Sequence, residues 1–434
     1  MFVLVNAAAL LSLKRRWAPL PLLIGALYLP RASGIEVGPF HFPVIRLLIA
    51  VGVFRVIIKG EWRTVKLNVL DWLMMAWGLW ALTSSAFHGD PNEALVFRLG
   101  IVYNIWGAYF LIRVLCQSME DLAVICRVTA ILLVPVALEM CLEQLRGHNL
   151  FAKLGPGVMD VPQIRKGRIR AQGPFAHSIL AGTVGAVCLP LTIAIWERHR
   201  KTAVAGIVAC ALIILASASS GPILSGVAGV GALMMWRYRS QMRVVRWLGV
   251  ITYVALDVIM KDPAYFIMAR IDLAGGSTGW HRAALIRSAF NHLSEWWLAG
   301  TDYTRHWMTS GVTWSAEQSD ITNYYLKMGV WGGLPLMLLF IAILTKGFSF
   351  VGRSVKQLDE QQSSNNFIIW CFGAALFSHA VTSLGVSYFD QSFLFMYLTL
   401  GVIGSTRSAE IVPRAREITS SRWDEATGSS GRNF

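Results

Sequence analysis

Charged residues are scarce in this chain: Asp, Glu, Lys and Arg account for 15% of its 434 residues, whereas apolar residues account for 55%. These proportions are unlike those of a soluble globular domain and are typical of a polytopic membrane protein. No hydrophilic segment is long enough to bury a core of its own. We therefore expect a single membrane domain that carries loops rather than a set of soluble domains.

The motifs of common cofactor and metal sites are also missing. The six cysteines lie in or beside apolar segments without CxxC or CxxH spacing, which favours free cysteines over a metal site or a disulfide framework. No P-loop, GxSxG or dinucleotide-binding fingerprint occurs. His281, His292 and His306 lack the i, i+4 spacing with a carboxylate partner, so we predict no metal and no cofactor.

Long apolar runs are what the chain has instead. A helix needs about 20 mainly apolar residues to span a bilayer, and about twelve such runs occur, with residues 2–13 a shorter candidate. The sequence therefore predicts an all-α polytopic bundle of about 12–13 transmembrane helices over residues 1–404. Apart from residues 2–13, the apolar runs lie near 17–30, 42–58, 69–87, 95–114, 121–142, 174–196, 202–218, 221–236, 244–260, 323–345, 366–386 and 388–404.

Basic residues set the expected orientation. The net charge of +14 is divided among short clusters between apolar runs, as loop anchors are, which argues against a nucleic-acid-binding protein. The short basic loops are predicted to be cytoplasmic, together with a disordered polar tail at 405–434. Two long segments, 143–173 and 261–322, then fall on the outer, periplasmic side, and the second is expected to be partly helical.

The first outer segment ends in a basic stretch, QIRKGRIRAQGPFAH at 163–177. Two interpretations stay open. A solvated basic loop would contact anionic lipid. Alternatively, Arg170 would bind an anion together with the N-terminus of a helix that begins at Pro174, and Arg282 of the second segment would join it. Guanidinium groups at a helix N-terminus suit phosphate or diphosphate.

The second outer segment mixes aromatic and polar residues. Ser277 or Thr278 is expected to cap a helix that runs to about residue 297 and stops at Gly300. Aromatic rings beside polar groups are typical of sugar sites, because the rings pack on C–H faces. Each single Trp is better explained as a membrane-interface anchor, and the cluster as a whole is more informative than any member. The candidate glycan-binding residues are Trp297, Tyr303, His306, Trp307 and Asn323.

Several short stretches resemble the O-antigen ligase and O-antigen (exopolysaccharide) polymerase family of bacterial inner-membrane proteins. They are RAQGPFAHSILAG (170–182), SASSGP (217–222), GWHRAALIRSAF (279–290) and TNYYLKMGVWGGLPL (322–336). The resemblance implies transfer of a glycan from an undecaprenyl diphosphate carrier to a glycan, lipid or protein acceptor. It places the reaction at the periplasmic face of the inner membrane, without metal or nucleotide sugar.

The resemblance also implies roles for individual residues. Arg282 matches the loop arginine of the family, and Arg170 a frequent arginine before a helix. The family histidine is replaced by Thr322, so Asp320 becomes the expected base, and the turn at 217–222 lacks the arginine often found there. These departures fit a polymerase-like or exopolysaccharide branch better than a standard ligase. Attack in a single displacement would invert the anomeric configuration.

The expected site residues form two further groups besides the glycan-binding set. The catalytic candidates are Asp320, Arg282, Asp302 and His177. The diphosphate-binding candidates are Arg170, Arg168, Arg282, Arg98 and Lys327. Two rival functions remain: a transporter of a lipid-linked polysaccharide, for which repeated halves would be typical, and a non-catalytic envelope-assembly protein.

Overall fold

The computed structural model describes residues 2–30, 32–37, 40–270, 279–308, 311–312, 315–361 and 365–406. These residues are mostly helical, as the apolar runs predict. The helices are α1 (Phe2–Ser12), α2 (Pro19–Tyr28), α3 (Val44–Ile58), α4 (Val69–Thr83), α5 (Pro91–Leu115), α6 (Met119–Arg146), α7 (Ser178–Ile193), α8 (Arg200–Ala216), α9 (Ser220–Met234), α10 (Met242–Ile259), α11 (Ile267–Arg270), α12 (Gly279–Asn291), α13 (Leu293–Trp296), α14 (Tyr324–Glu360), α15 (Asn366–Ser383) and α16 (Phe393–Ser405).

The strands form three antiparallel two-stranded hairpins among the described residues. They are β1 (Gly34–Val37) with β2 (Phe40–Pro43), β3 (Gln163–Arg165) with β4 (Arg168–Arg170), and β5 (Gly311–Val312) with β6 (Ser315–Ser319). The turn of the second hairpin consists of Lys166 and Gly167, both with positive φ, as tight hairpin turns require. The hairpins are short and lie between helices.

Each apolar run of the sequence overlaps one helix, α1 to α10 or α14 to α16. In the described part of the chain, α5, α6, α14 and α15 are long and apolar enough to cross a membrane, and α1, α7 and α16 are shorter apolar helices. The prediction of a mainly helical protein with helices apolar enough to cross a membrane is therefore confirmed, and the expected number of about 12–13 crossings stays a prediction.

The core is built around α7, which packs against α6, α8, α9 and α15. Small residues bring these helices close together. A Cβ at Gly182 would lie 2.4 Å from the Oγ of Ser217, so only glycine lets α7 approach the turn between α8 and α9. That approach fixes the 217–222 turn against α7, most of whose residues are buried.

The long helix α14 is broken near its start. Gly332 and Gly333 leave helical geometry, and Gly333 has a φ of +72°. A Cβ at Gly333 would lie 2.2 Å from the carbonyl oxygen of Leu298, so the break also lets the 297–302 segment approach. The break divides α14 into a short first part and a long second part.

Several sequence-based boundaries are corrected. The helix expected from Pro174 begins at Ser178, so His177 precedes the helix instead of lying one turn inside it. The helix expected to run to about residue 297 ends at Asn291, and the separate short helix α13 follows it. The cap expected at Ser277 or Thr278 and nearly all of the tail, 407–434, lie outside the described residues.

Candidate anion-binding site

The SASSGP turn places a helix N-terminus at the centre of the candidate site. Helix α8 ends at Ala216, Ala218 adopts a φ of +44°, and α9 begins at Ser220. The N-cap residue Ser219 makes no side-chain hydrogen bond to the first turn, because its Oγ donates to the Ser217 carbonyl oxygen at 2.9 Å. The partial positive charge at the start of α9 is therefore not offset by its own cap.

Arg170 reaches this turn from the end of β4. Its Nη2 donates to the Oγ of Ser219 at 2.7 Å, and its side chain is buried. The preceding hairpin is tied down nearby, because the backbone N–H of Ala171 donates to the Ala216 carbonyl oxygen at 3.1 Å. The Nε of Arg170 has no hydrogen-bond partner among the described residues. The guanidinium group is thus held in place but incompletely satisfied.

Two carboxylates on α6 hold the loop that carries Arg170. The Glu143 carboxylate accepts from the backbone N–H groups of Gln172, at 3.1 Å, and of Gly173, at 2.9 Å. The Oε1 of Glu139 accepts from the Leu150 backbone N–H at 2.8 Å. These contacts fix the backbone on both sides of the loop.

Arg282 approaches the same turn from the first part of α12. A Cβ at Gly221 would lie 3.8 Å from its Nη2, and a Cβ at Gly385 would lie 3.1 Å from its Nε. The guanidinium group is thus sandwiched between the start of α9 and the chain that follows α15. Its Nε has no hydrogen-bond partner in the described part of the chain. Arg170 and Arg282 therefore flank the N-terminus of α9.

The charges around the two arginines are unbalanced. Burial lowers the pKa of Arg170, and the nearby Arg165 lowers it further. Burial also lowers the pKa of Arg282, while Asp320 raises it and Arg165 lowers it. Both groups stay protonated, since arginine does not lose its proton in proteins. Burying a cation is costly, and the positive charges of the three arginines outnumber the one carboxylate, Asp320, that acts on them, so this cluster favours the binding of an anion.

Asp320 is the one candidate base that the structure places beside Arg282. The two charges interact, and the Asp320 side chain is exposed. Its backbone carbonyl oxygen lies 3.4 Å from the Nε2 of His281. Of the expected catalytic residues, Arg282 and Asp320 are therefore brought together, beside the diphosphate-binding candidate Arg170, and the Asp320 carboxylate is open to solvent.

His177 is near this cluster but is not arranged as a base. Its Nδ1 accepts the backbone N–H of Ile179 at 3.1 Å, so the proton of the neutral ring is on Nε2. Burial, followed by the charges of Arg170 and Arg165, lowers the pKa of His177 to about 4. At neutral pH its ring is therefore an N–H donor. The expectation that His177 acts as a base is wrong on this geometry.

An apolar cavity of about 230 Å³ adjoins Arg282. Its wall includes Leu224 of α9, Ile267 and Met268 of α11, and Val381 and Leu384 at the end of α15. Among the described residues that line it, Arg282 alone carries a charge. An apolar cavity with one guanidinium group on its wall suits an amphiphile that has an anionic head.

Arg98 and Asp302 belong to a different network. The Nδ1 of His88 lies 2.7 Å from the Oδ1 of Asp302, and its Nε2 lies 3.1 Å from both the Nη2 of Arg98 and the carbonyl oxygen of Ala299. The Nη1 of Arg98 donates to the carbonyl oxygen of Trp331, which the break in α14 leaves without a helical partner. Neither residue is placed at the anion site, so the expected diphosphate role of Arg98 is corrected to a structural one.

Asp302 is unsuited to be a base for a second reason. Burial raises its pKa, but the hydrogen bonds from His88 and from the Gly89 backbone N–H, together with the charges of His88 and Arg98, lower it more. The net pKa lies below the usual value for aspartate. The carboxylate is therefore ionised and already hydrogen-bonded to His88 and Gly89. The expectation that Asp302 is catalytic is corrected.

The expected glycan-binding residues divide by exposure. Trp297 and Tyr303 are 52% and 56% exposed and His306 is exposed, so they stay available to a sugar. Trp307 is only 4% exposed and packs on His292, which leaves its ring no open face. Asn323 is buried as the N-cap of α14, where its Oδ1 accepts from the Leu326 N–H at 3.0 Å. The glycan roles of Trp307 and Asn323 are therefore corrected to structural ones.

The remaining diphosphate candidates, Arg168 and Lys327, are only partly placed. Arg168 is exposed on β4, opposite Arg165 of β3. The Nζ of Lys327 lies 5.3 Å from the ring centroid of Trp331, the residue whose carbonyl oxygen Arg98 contacts. Both roles stay predictions.

Sequence reasoning missed three contributors to the site. Ser219 anchors Arg170, Arg165 adds a third positive charge, and Gly385 makes room for Arg282. The signal for Arg165 was its place in the basic stretch at 163–177. The sequence of the turn at 217–222 indicates a packing motif. It does not indicate that Ser219 contacts Arg170, which lies 49 positions earlier in the chain. Compared with models of known families and with curated protein sequences, the chain gives no match.

Proposed function

We propose that this protein transfers or polymerises a glycan, taking it from an undecaprenyl diphosphate carrier to an acceptor hydroxyl group. The observation that carries the proposal is the convergence of Arg170 and Arg282 on the uncapped N-terminus of α9, beside an apolar cavity. A diphosphate needs several donors and positive charge, and its polyprenyl chain needs apolar surface.

The proposed location is the bacterial inner membrane, with about 12–13 crossings and the site at the periplasmic face. The acceptor is a glycan, a lipid or a protein. No nucleic acid takes part. The proposal rests on the resemblance of the sequence motifs and on the site geometry, which agree on Arg170, Arg282 and Asp320. The proposed reaction is of the kind that O-antigen ligases and exopolysaccharide polymerases catalyse.

The reaction follows from the charges. The two guanidinium groups and the N–H groups of α9 would hold the diphosphate, and the Nε2–H of His177 would donate to it. Asp320 would remove the proton of the acceptor hydroxyl as its oxygen attacks the anomeric carbon. The bond from that carbon to the phosphate oxygen breaks, and its electron pair leaves with the lipid diphosphate. The arginines stabilise the charge that develops there.

A transporter of lipid-linked polysaccharide is the second candidate, and the break in α14 at Gly332–Gly333 favours it, because transporters commonly use broken helices. The carbonyl oxygens at the break are, however, already engaged. Trp80 Nε1 donates to that of Gly332 at 2.7 Å, and Arg98 donates to that of Trp331. This occupancy supports a structural break and makes transport the weaker proposal. No comparable observation supports a non-catalytic assembly role.

The test uses cells that lack the gene, complemented with wild type, Arg282→Ala, Asp320→Asn or Arg287→Ala. Arg287 is the matched control, since it lies on the same helix but is exposed and paired with Asp262 at 2.9 Å. We expect the first two variants to lose the polysaccharide and to accumulate the lipid-linked repeat, at normal membrane levels, whereas Arg287→Ala restores synthesis. Full rescue by Arg282→Ala and Asp320→Asn would refute the proposal that this protein is a glycan transferase.

A further inference from the structure

A second group of side chains with binding chemistry lies away from the anion site. His292, Glu295 and His306 each direct one potential ligand atom into a common space, with these atoms within 4.8 Å of one another. His292 follows the last residue of α12, Glu295 lies in α13, and His306 lies in the 3-10 helix Arg305–Trp307. Helical spacing cannot reveal this group, because a chain reversal brings His306 back to the other two.

The orientation of His292 is that of a metal ligand. Its Nδ1 lies 2.8 Å from the carbonyl oxygen of Ser288, and since a carbonyl group only accepts, Nδ1 carries the proton. The Nε2 atom therefore keeps its lone pair. In metal sites a histidine ligand usually donates its other ring N–H to a backbone carbonyl or a carboxylate, which fixes both the tautomer and the ring.

Glu295 and His306 are held in the same way. The Oε2 of Glu295 accepts from Trp307 Nε1 at 3.1 Å and lies 2.9 Å from the Nε2 of His306. Trp307 also stacks on His292, with ring centroids 5.8 Å apart and planes inclined by 16°. One buried tryptophan thus orients two of the three groups, while Glu295 and His306 stay open to solvent.

We propose that His292, Glu295 and His306 bind one divalent first-row transition metal ion, such as Zn²⁺. Two imidazoles and one carboxylate are a common ligand set for zinc sites that keep a fourth position for water. Ligand atoms in a tetrahedral zinc site lie roughly 3.3 Å apart, so small side-chain rotations are enough to close the present spacing. The ion replaces the proton between His306 and Glu295.

The position of the site suggests what the ion does. Helix α12 carries Arg282 in its first turn, and His292 follows its last residue, about 15 Å further along the axis. An ion held by His292, Glu295 and His306 links the end of α12 to α13 and to the segment before β5. It therefore fixes the far end of the helix that presents Arg282. Metal binding itself does not depend on the proposed function.

The experiment measures binding of Zn²⁺ alone to the purified full-length protein. The protein is prepared with an affinity tag that contains no histidine, stripped with a chelator and titrated against a chromophoric zinc indicator. We expect one saturable site per chain. His292→Ala and His306→Ala should each weaken binding at least about 100-fold, and Trp307→Phe, which removes the hydrogen bond to Glu295 and part of the stacking on His292, about 10-fold. Co²⁺ should give the visible absorption of a tetrahedral site in wild type.

The matched control is His148→Ala. His148 and Asp160 form another exposed histidine–carboxylate pair, with Nδ1 and Oδ2 3.2 Å apart and no second histidine in the described surroundings. This variant should bind Zn²⁺ as wild type does. Thermal unfolding without metal checks that every variant is folded. Absence of saturable binding in folded wild type, or undiminished binding in folded His292→Ala and His306→Ala, would overturn the proposal and leave only a hydrogen-bonded aromatic cluster.

Discussion

Two kinds of buried arginine occur in this protein, and the difference between them locates the site. Arg55 and Arg113 pair with carboxylates, Arg55 with Glu61 at 2.9 Å and Arg113 with Asp71 at 3.4 Å. Arg98 shares its network with Asp302 through His88. Arg170 is buried too, yet among the described residues its side-chain partner is the neutral Ser219, and the charge that acts on it is the positive charge of Arg165.

The contrast follows from the cost of burying charge. A buried ion pair carries its own compensation, and removing one partner leaves the other uncompensated. We propose that the charge of Arg170, which has no carboxylate partner among the described residues, is compensated by an anionic ligand. The same residue type would then support the fold at one place and form a binding site at another. The following predictions separate these two uses, beginning with the largest effect.

Arg113→Ala should be the most damaging change to the fold. It leaves the fully buried Asp71 without its cation, and only the hydrogen bonds from Tyr109 Oη and the Asn68 backbone remain. We expect a loss of about 3–5 kcal/mol in the free energy of unfolding. Thermal or denaturant unfolding in detergent measures it. Stability unchanged within about 1 kcal/mol would contradict the assignment of Arg113 to the structural class.

Arg170→Met should show the opposite pattern. The substitution removes an uncompensated buried cation and keeps the volume, so stability should be unchanged or slightly higher. Glycan transfer should fall about 10²–10³-fold, because a donor to the developing charge is lost. The rate of product formation and the unfolding curve are measured on the same preparation. Unfolding without selective loss of activity would place Arg170 with Arg113.

Gly385→Ala sharpens the assignment of Arg282. The new Cβ would lie 3.1 Å from the Nε and 3.2 Å from the Cζ of Arg282, which is tighter than ordinary contact, so the guanidinium group must shift. We expect about a tenfold loss of activity with little change in stability. Gly231→Ala is the matched control, because a Cβ there meets nothing within 4 Å. Equal activity of the two variants would mean that Arg282 does not need its present position.

His177→Asn should have the smallest effect. Asparagine keeps an N-cap acceptor for α7, and the ring is not a base in this account. The pKa of His177 is lowered to about 4, so its contribution to stability is present above pH 6.5 and is lost as pH falls toward 4. Between pH 6.5 and 4, the free energy of unfolding of the variant should therefore fall less than that of wild type. The variant should keep most of its activity. A loss of 10²-fold or more, with a missing limb in the pH–rate profile, would restore His177 as the base.

The fold could be predicted from the sequence because it depends on a repeated, local signal. Each apolar run became a helix, since length and hydrophobicity decide that outcome without reference to neighbours. Boundaries were less predictable where a side chain intervened. The α7 start moved from Pro174 to Ser178 because His177 caps the helix, a role that the letters alone do not indicate.

The site was predicted in part. The structure brings Arg170, Arg282 and Asp320 into one region, since both arginines lie at the start of α9 and Asp320 interacts with Arg282, and their roles stay predictions. Arg98 and Asp302 were assigned to the wrong site. The sequence alone does not distinguish a charged residue that faces a ligand from one that contacts a broken helix. The helix N-terminus was expected at α7, whereas the uncapped one at the site belongs to α9.

The most direct test of the account is the binding of undecaprenyl diphosphate to the purified protein. The affinity of wild type is compared with that of an Arg170→Met, Arg282→Met double variant and with that of Arg287→Met. Arg287 is the control, because it pairs with Asp262 and lines neither the cavity nor the turn. We predict tight binding by wild type and Arg287→Met, and a loss of at least about 100-fold in the double variant. Equal affinities in all three folded proteins would contradict the claim that Arg170 and Arg282 bind the carrier.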